Sequence, residues 1–152
     1  MLYLGVMMNQ VEIESSIPHR KPFLFVDRVL ELTDSNIVAQ ACPRSDDVFW
    51  KLVYQGHYPN QPVTPGVLLC EIVFQAGALL MAHRLGKSDG VPLLTRINQT
   101  KFRLPVFPDE LLEVSSAVVE ELGPATFLQG KIKKTNQVAL QVEYAVTLKS
   151  EI

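Results

Sequence analysis

Residues 54–62 read Tyr54-Gln55-Gly56-His57-Tyr58-Pro59-Asn60-Gln61-Pro62, and Thr64-Pro65-Gly66 then opens an apolar run that ends near Gly86. The first string predicts a tight, constrained turn. The second predicts a helix start, with the Thr64 hydroxyl as cap and Pro65 at the first helical position, where no N–H is needed. Gly86 stands where a helix stops. The run between predicts a helix of about 21 residues, roughly 30 Å long. Val67, Leu68, Leu69, Ile72, Val73, Phe74, Ala76, Leu79, Leu80, Met81 and Ala82 make it apolar nearly all round, and such a helix is buried. Before its last turn only Glu71 and Gln75 are strongly polar; four apart, they share one face. A carboxyl group inside an apolar helix is expensive to bury. Burial raises its pKa and can keep it protonated, so Glu71 is a candidate for chemistry.

Working outward, residues 9–16 suit a short helix or a lead-in, and the prolines of Ile17-Pro18-His19-Arg20-Lys21-Pro22 hold that stretch extended. Phe23 to Leu32 and Ile37 to Cys42 predict a hairpin across Thr33-Asp34-Ser35-Asn36. Pro43 to Tyr54 predicts a loop with a helical turn. Beyond a polar turn from Gly86 to Gly90, strands are expected over Leu93–Leu104, Leu111–Leu122 and Ala125–Lys134. A last strand is marked by the alternation of Val138, Leu140, Val142, Tyr144, Val146 and Leu148. One apolar sheet face needs cover, and a single helix is long enough to provide it. The expected fold is therefore α+β: a curved antiparallel sheet wrapped around one long central helix. The helix's remaining flank or a free sheet edge would be covered by a second copy.

The chain has 152 residues, 47% hydrophobic and 20% charged, with a net charge of −2. That is enough for one domain and lacks the basic field expected of a nucleic-acid binder. Cys42 and Cys70 show no metal-ligand spacing and suit a reducing, cytoplasmic compartment. Residues 1–16 read as an N-terminal leader without the basic flank of a signal peptide, and residues 17–152 as the domain. The interruptions at Glu71, Gln75, His83 and Arg84 argue against a membrane span.

His57 and Glu71 together suggest a reaction. An imidazole accepts a proton near neutral pH and a protonated carboxyl donates one. Held apart in an apolar slot, they are suited to removing a proton from one carbon and a hydroxyl from the next. The free amides at the helix start, near Gly66 and Val67, could polarise a carbonyl. Gln75 is placed to orient Glu71 or to satisfy a backbone group. His19 is expected to hold the N-terminal segment by a hydrogen bond, and His83 to meet the last helical carbonyls. Tyr58, with Phe49, Trp50 and Tyr54, could line an acyl channel or pack in the core. Lys101 and Arg103 share a strand face that is either solvated or turned to an acidic partner.

The strings Ile17-Pro18-His19-Arg20-Lys21-Pro22-Phe23-Leu24-Phe25-Val26-Asp27-Arg28-Val29, Gly56-His57-Tyr58-Pro59, Pro65-Gly66-Val67-Leu68-Leu69-Cys70-Glu71 and Lys101-Phe102-Arg103-Leu104-Pro105-Val106, in this order, resemble the 3-hydroxyacyl-[acyl-carrier-protein] dehydratases. The resemblance implies a hot-dog fold and an active site at a dimer interface, with a trimer of dimers as the usual assembly. It places the family's catalytic His on His57 and its Glu on Glu71, from different protomers, and the carbonyl-binding glycine on Gly66. Glu rather than Asp at position 71 points to the plain dehydratase branch. The implied partner is an acyl carrier protein bearing a 3-hydroxyacyl group, and no cofactor or metal is needed, because the thioester acidifies the α carbon. The sequence departs from the family at Lys21, Asn60-Gln61 and Thr64, in a longer segment before Gln55, and at Leu93, where the family's gating Tyr falls. A hot-dog thioesterase and a non-catalytic acyl-binding homologue stay open as alternatives.

Overall fold

The computed structural model describes residues 5–86 and 90–150. The chain runs α1 (Gln10–Ser16), β1 (Arg28–Leu32), β2 (Asn36–Ala41), α2 (Val48–Gly56), α3 (Gly66–Leu85), β3 (Val91–Phe102), β4 (Leu112–Leu122), β5 (Ala125–Lys134) and β6 (Gln137–Lys149). All six strands form one antiparallel sheet in the order β1-β2-β4-β5-β6-β3. Its inner face closes on α3. Ile72, Val73, Ala76, Leu79 and Leu80 of the helix are fully buried, as are Ile37, Val114, Ile132 and Leu140 of the sheet. Gly66–Leu85 is long and apolar enough to cross a membrane, but here it is the core around which the sheet curves. This is the α+β architecture the apolar run predicts.

Helix and sheet approach each other closely. A Cβ on Gly77 would lie 2.0 Å from the hydroxyl oxygen of Tyr144, and one on Gly130 would lie 2.2 Å from Val73 Cγ1. Tyr144 is buried, and its hydroxyl pairs with Ser116 Oγ at 2.6 Å. Gly86 ends α3 at φ +60°, with its N–H donated to Ala82 O at 3.1 Å, a conformation that glycine adopts without penalty. Of the polar turn expected from Gly86 to Gly90, residues 87–89 lie outside the described residues, as do residues 1–4 of the leader.

Three expectations are corrected. The strand drawn over Phe23–Leu32 begins only at Arg28. Gln75 supplies the reason: its side-chain amide donates to Phe23 O at 2.9 Å and accepts from Phe25 N at 2.8 Å. These backbone groups are satisfied by the core helix and need no ladder. The loop before His57 is instead the nine-residue helix α2. Asp47 caps it by accepting from Phe49 N at 3.0 Å, and Trp50 and Tyr54 bury its inner face. Thr64 does not cap α3. The cap position is Pro65, and the Thr64 hydroxyl meets Tyr54 Oη at 2.7 Å, tying α2 to the start of α3. Of the two readings of residues 9–16, the short helix is present as α1, with a capping box: Asn9 Oδ1 accepts from Glu12 N, and Glu12 Oε2 accepts from Asn9 N. Ile13 and Ile17 enter the core.

Burial pushes the Tyr54 hydroxyl up to about 12, against the opposing hydrogen bond from Thr64, and drives Tyr144 higher still. Because the folded state holds both phenols neutral, stability is intact below the ordinary tyrosine value of about 10 and falls as pH rises through that of the folded protein. In an alkaline titration followed by tyrosinate absorbance, Tyr54 and Tyr144 should ionise only with unfolding. Early, reversible ionisation of both in the folded protein would contradict this.

Candidate active site

α3 carries Glu71 one turn before Gln75. The Gln75 amide, anchored on Phe23 and Phe25, also donates to Glu71 Oε1 at 3.1 Å. Gln75 thus makes both of the contacts considered for it, to backbone groups and to the Glu71 carboxyl group. The Glu71 side chain retains 25% exposure, because it opens onto a cavity and is not sealed in the core. That corrects the expectation of a buried carboxyl group. The cavity, about 330 Å³, runs from Glu71 past Phe74, Ala78 and Ala82 to Val91, Leu93 and Leu94. Along α3 these positions fall at steps of three or four, one face of a helix. The result is an apolar groove with a carboxyl group near one end, a shape suited to an alkyl chain bearing one polar reacting group. Leu93 is one of the apolar residues that line it.

The groove also contains a residue whose placement there was not foreseen. His19 lines it and brings Nε2 to 3.8 Å from Glu71 Oε1. Nothing in the spacing of the chain links positions 19 and 71; only the fold of the segment after α1 across α3 does. His83, in the last turn of α3, meets Asp34 Oδ1 at 3.4 Å and lies away from the groove.

His57 is the residue that closes α2, its N–H donated to Val53 O at 2.8 Å. Its Nδ1 lies 2.7 Å from Val63 O. A carbonyl oxygen only accepts, so Nδ1 carries the ring proton and Nε2 is left with a free lone pair. Tyr58 follows at φ +56°, with its ring packed edge-on against His57 at 4.7 Å. Gly66 and Val67 form the first turn of α3. Val67 is 76% exposed, and a Cβ on Gly66 would strike the ring of Phe102 at 2.7 Å. Among the described residues, His57, Tyr58, Gly66 and Val67 do not line the groove of their own chain. Within one chain, Glu71 lies in the groove with Leu93 and is hydrogen-bonded to Gln75, while His57 lies outside that groove. Among the described residues no cluster of His, Cys, Asp and Glu could hold a metal. Cys42 and Cys70 are free thiols, raised by burial.

A six-stranded antiparallel sheet around one central helix is the hot-dog fold. The Xenorhabdus doucetiae dehydratase heterocomplex ApeI:P shares it, with a TM-score of 0.75 at 15% identity over 90% of each chain. So does a hypothetical thioesterase with coenzyme A from Streptococcus pneumoniae, at 0.63 and 9% identity, covering 80% of this chain and 84% of that one. The fold alone does not separate these activities; sequence does. Residues 17–143 match the model of the FabA-like domain. The Clostridium perfringens 3-hydroxyacyl-[acyl-carrier-protein] dehydratase FabZ is 32% identical over 142 residues, covering 90% of this chain and 99% of that protein. The Campylobacter concisus protein of the same name is 37% identical over 132 residues, covering 82% and 86%. The chain belongs to the FabA-like family, and within it to the 3-hydroxyacyl-[acyl-carrier-protein] dehydratases.

Proposed function

We propose that dehydration runs on His57 of one protomer and Glu71 of another. The observation that carries this reading is the separation of the two side chains. Glu71 sits in an apolar groove, while His57, fourteen positions earlier, stands outside that groove with its Nε2 lone pair free. The substrate is a 3-hydroxyacyl thioester carried on acyl carrier protein. His57 Nε2 takes the proton from C2 as the thioester carbonyl gathers negative charge, and the N–H of Gly66 or Val67 at the start of α3 receives that charge. The C3–O bond breaks, Glu71 gives its proton to the departing hydroxyl, and water and a trans-2-enoyl thioester leave. The net result on the protein is a protonated His57 and an ionised Glu71, reset by exchange with solvent. The acyl chain lies along the groove past Phe74, Leu93 and Ala78. Two free thiols fit a cytoplasmic setting.

The partner protomer is a second copy of this chain. Support comes from β3, a twelve-residue strand at the edge of the sheet, paired on one side only, with Leu94 42% and Ile97 51% exposed. A long unpaired edge carrying exposed apolar side chains calls for another strand. Ile97→Lys should shift the protein from dimer toward monomer in sedimentation, with dehydratase activity falling in step. Undiminished activity in a monomeric variant would sink the shared site.

Complementation tests the shared site directly. Inactive His57→Ala and Glu71→Gln proteins, dissociated together and reassociated, should recover about a quarter of wild-type activity. Half of the dimers are then mixed, and each of these holds one intact site of two. If both groups acted within one chain, the mixture would stay inactive.

A further inference from the structure

His19 has no place in that two-residue scheme, yet its Nε2 lies 3.8 Å from Glu71 Oε1. Arg20 brackets its backbone, the guanidinium donating to Ile17 O at 2.8 Å and to His19 O at 2.7 Å, and Ile17 anchors the stretch in the core. The ring is therefore held, and its Nδ1 is buried with no hydrogen-bond partner. A proton on Nδ1 would be a buried donor without an acceptor, the costlier arrangement. The single ring proton of the neutral form therefore belongs on Nε2, which faces Glu71 Oε1 at 3.8 Å. That separation is roughly 0.9 Å longer than an ordinary N–H···O bond, and a charged acceptor shortens such contacts. Gln75 Nε2 approaches the same oxygen. Both donors therefore converge on Oε1, and neither engages Oε2.

We propose that His19 is a positioning residue for Glu71. Its Nε2–H draws in Oε1 as the carboxyl group gives up its proton, stabilising the emerging anion and keeping Oε2 turned toward the substrate hydroxyl. The inference rests on the reading of Glu71 as the acid. Because the contact strengthens only as charge develops, its loss lowers kcat and leaves KM nearly unchanged.

The test uses the intact oligomer and a 3-hydroxyacyl thioester of acyl carrier protein. His19→Ala should lower kcat by roughly 10- to 100-fold, the range for a lost hydrogen bond to a charged group. His19→Gln, whose amide nitrogen lies near the position of Nε2, should recover most of that loss. His19→Asn, whose amide mimics the δ position, should not. In a Glu71→Gln background, His19→Ala should have no further effect. Equal rates for the Gln and Asn variants would overturn the proposal, as would His19→Ala at wild-type kcat or an effect confined to KM. So would a full His19→Ala effect persisting beside Glu71→Gln. Should His19→Ala fail to fold, the comparison of Gln with Asn decides alone. An active Glu71→Gln enzyme would instead bring down the underlying assignment of the acid, so the two failures are distinct.

Discussion

His57→Ala is expected to lower kcat for dehydration by about 100- to 10,000-fold, the usual contribution of a positioned general base, with the fold and KM little changed. On the proposed mechanism the loss falls on the chemical step. The His57 side chain makes one polar contact, Nδ1 to Val63 O at 2.7 Å, and that contact leaves Nε2 as the proton acceptor. Removing the ring frees one carbonyl at a half-exposed turn, a small stability cost. His57→Gln is the sharper control: an amide cannot accept the C2 proton, so it should be as inactive as alanine. Glu71→Gln should show a comparable loss for the complementary reason, since an amide cannot deliver a proton to the leaving hydroxyl. It is close to isosteric, and its carbonyl oxygen can still accept from Gln75, so the groove keeps its shape. The double variant should be scarcely worse than either single one, because groups that act in one step fail together. Measured loss of 3-hydroxyacyl thioester decides it. Wild-type turnover in both single variants would refute the mechanism, and a rise in KM alone would reduce the pair to binding residues.

How much of this could be read from the residues follows from what each feature depends on. α3 was legible because its signal is local: a continuous apolar run, a Pro-Gly opening and a closing glycine. The last strand was legible because alternation of Leu140, Val142, Tyr144 and Val146 is a two-residue period, and all four are buried. Glu71 stood out as a carboxyl group in an apolar helix, where polarity is costly, and His57 as a proton acceptor on a constrained turn just before it. The misread elements depend on partners distant in sequence. Phe23–Asp27 has strand composition, but Gln75 takes its backbone groups. Thr64 has a cap's chemistry, but Tyr54 takes its hydroxyl. α2 was obscured by short length and by acidic residues at its start, although Asp47 before Phe49-Trp50 is an N-cap signal. Glu71 was read as sealed because a helix periodicity cannot show a groove. The groove exists only where β3 and the segment after α1 stand off from α3. For the same reason His19 read as an anchor: its distance from Glu71 is a property of the fold.

The largest stability effect is expected at Gly77, where the core helix lies against β6. An alanine Cβ there would sit 2.0 Å from Tyr144 Oη and 3.0 Å from Tyr144 Cζ, well inside van der Waals contact. The tyrosine has no easy retreat. It is 1% exposed, its ring packs on Phe74 with centroids 4.9 Å apart, and its hydroxyl is held by buried Ser116 at 2.6 Å. A Cβ on Gly130, on the neighbouring strand, would also be crowded by Val73, so the sheet cannot simply slide along the helix. Overpacking of this kind costs about 3 kcal/mol. For a chain of this size that lowers Tm by on the order of 10 °C, although alanine is the better helix former and would raise stability at an open site. Tyr144→Phe separates these effects. It removes the atom in closest conflict and leaves Ser116 without its partner, a loss of about 1 kcal/mol or more by itself. Gly77→Ala should then cost distinctly less in the Tyr144→Phe background than in the wild type, a favourable coupling of about 1 kcal/mol or more. Chemical denaturation of the four proteins measures it. Equal costs in both backgrounds would mean that the tyrosine hydroxyl is not what excludes a side chain at position 77. A stabilised Gly77→Ala would mean that helix and sheet can separate without penalty, and a core that loose could not hold Glu71 at a fixed depth in its groove.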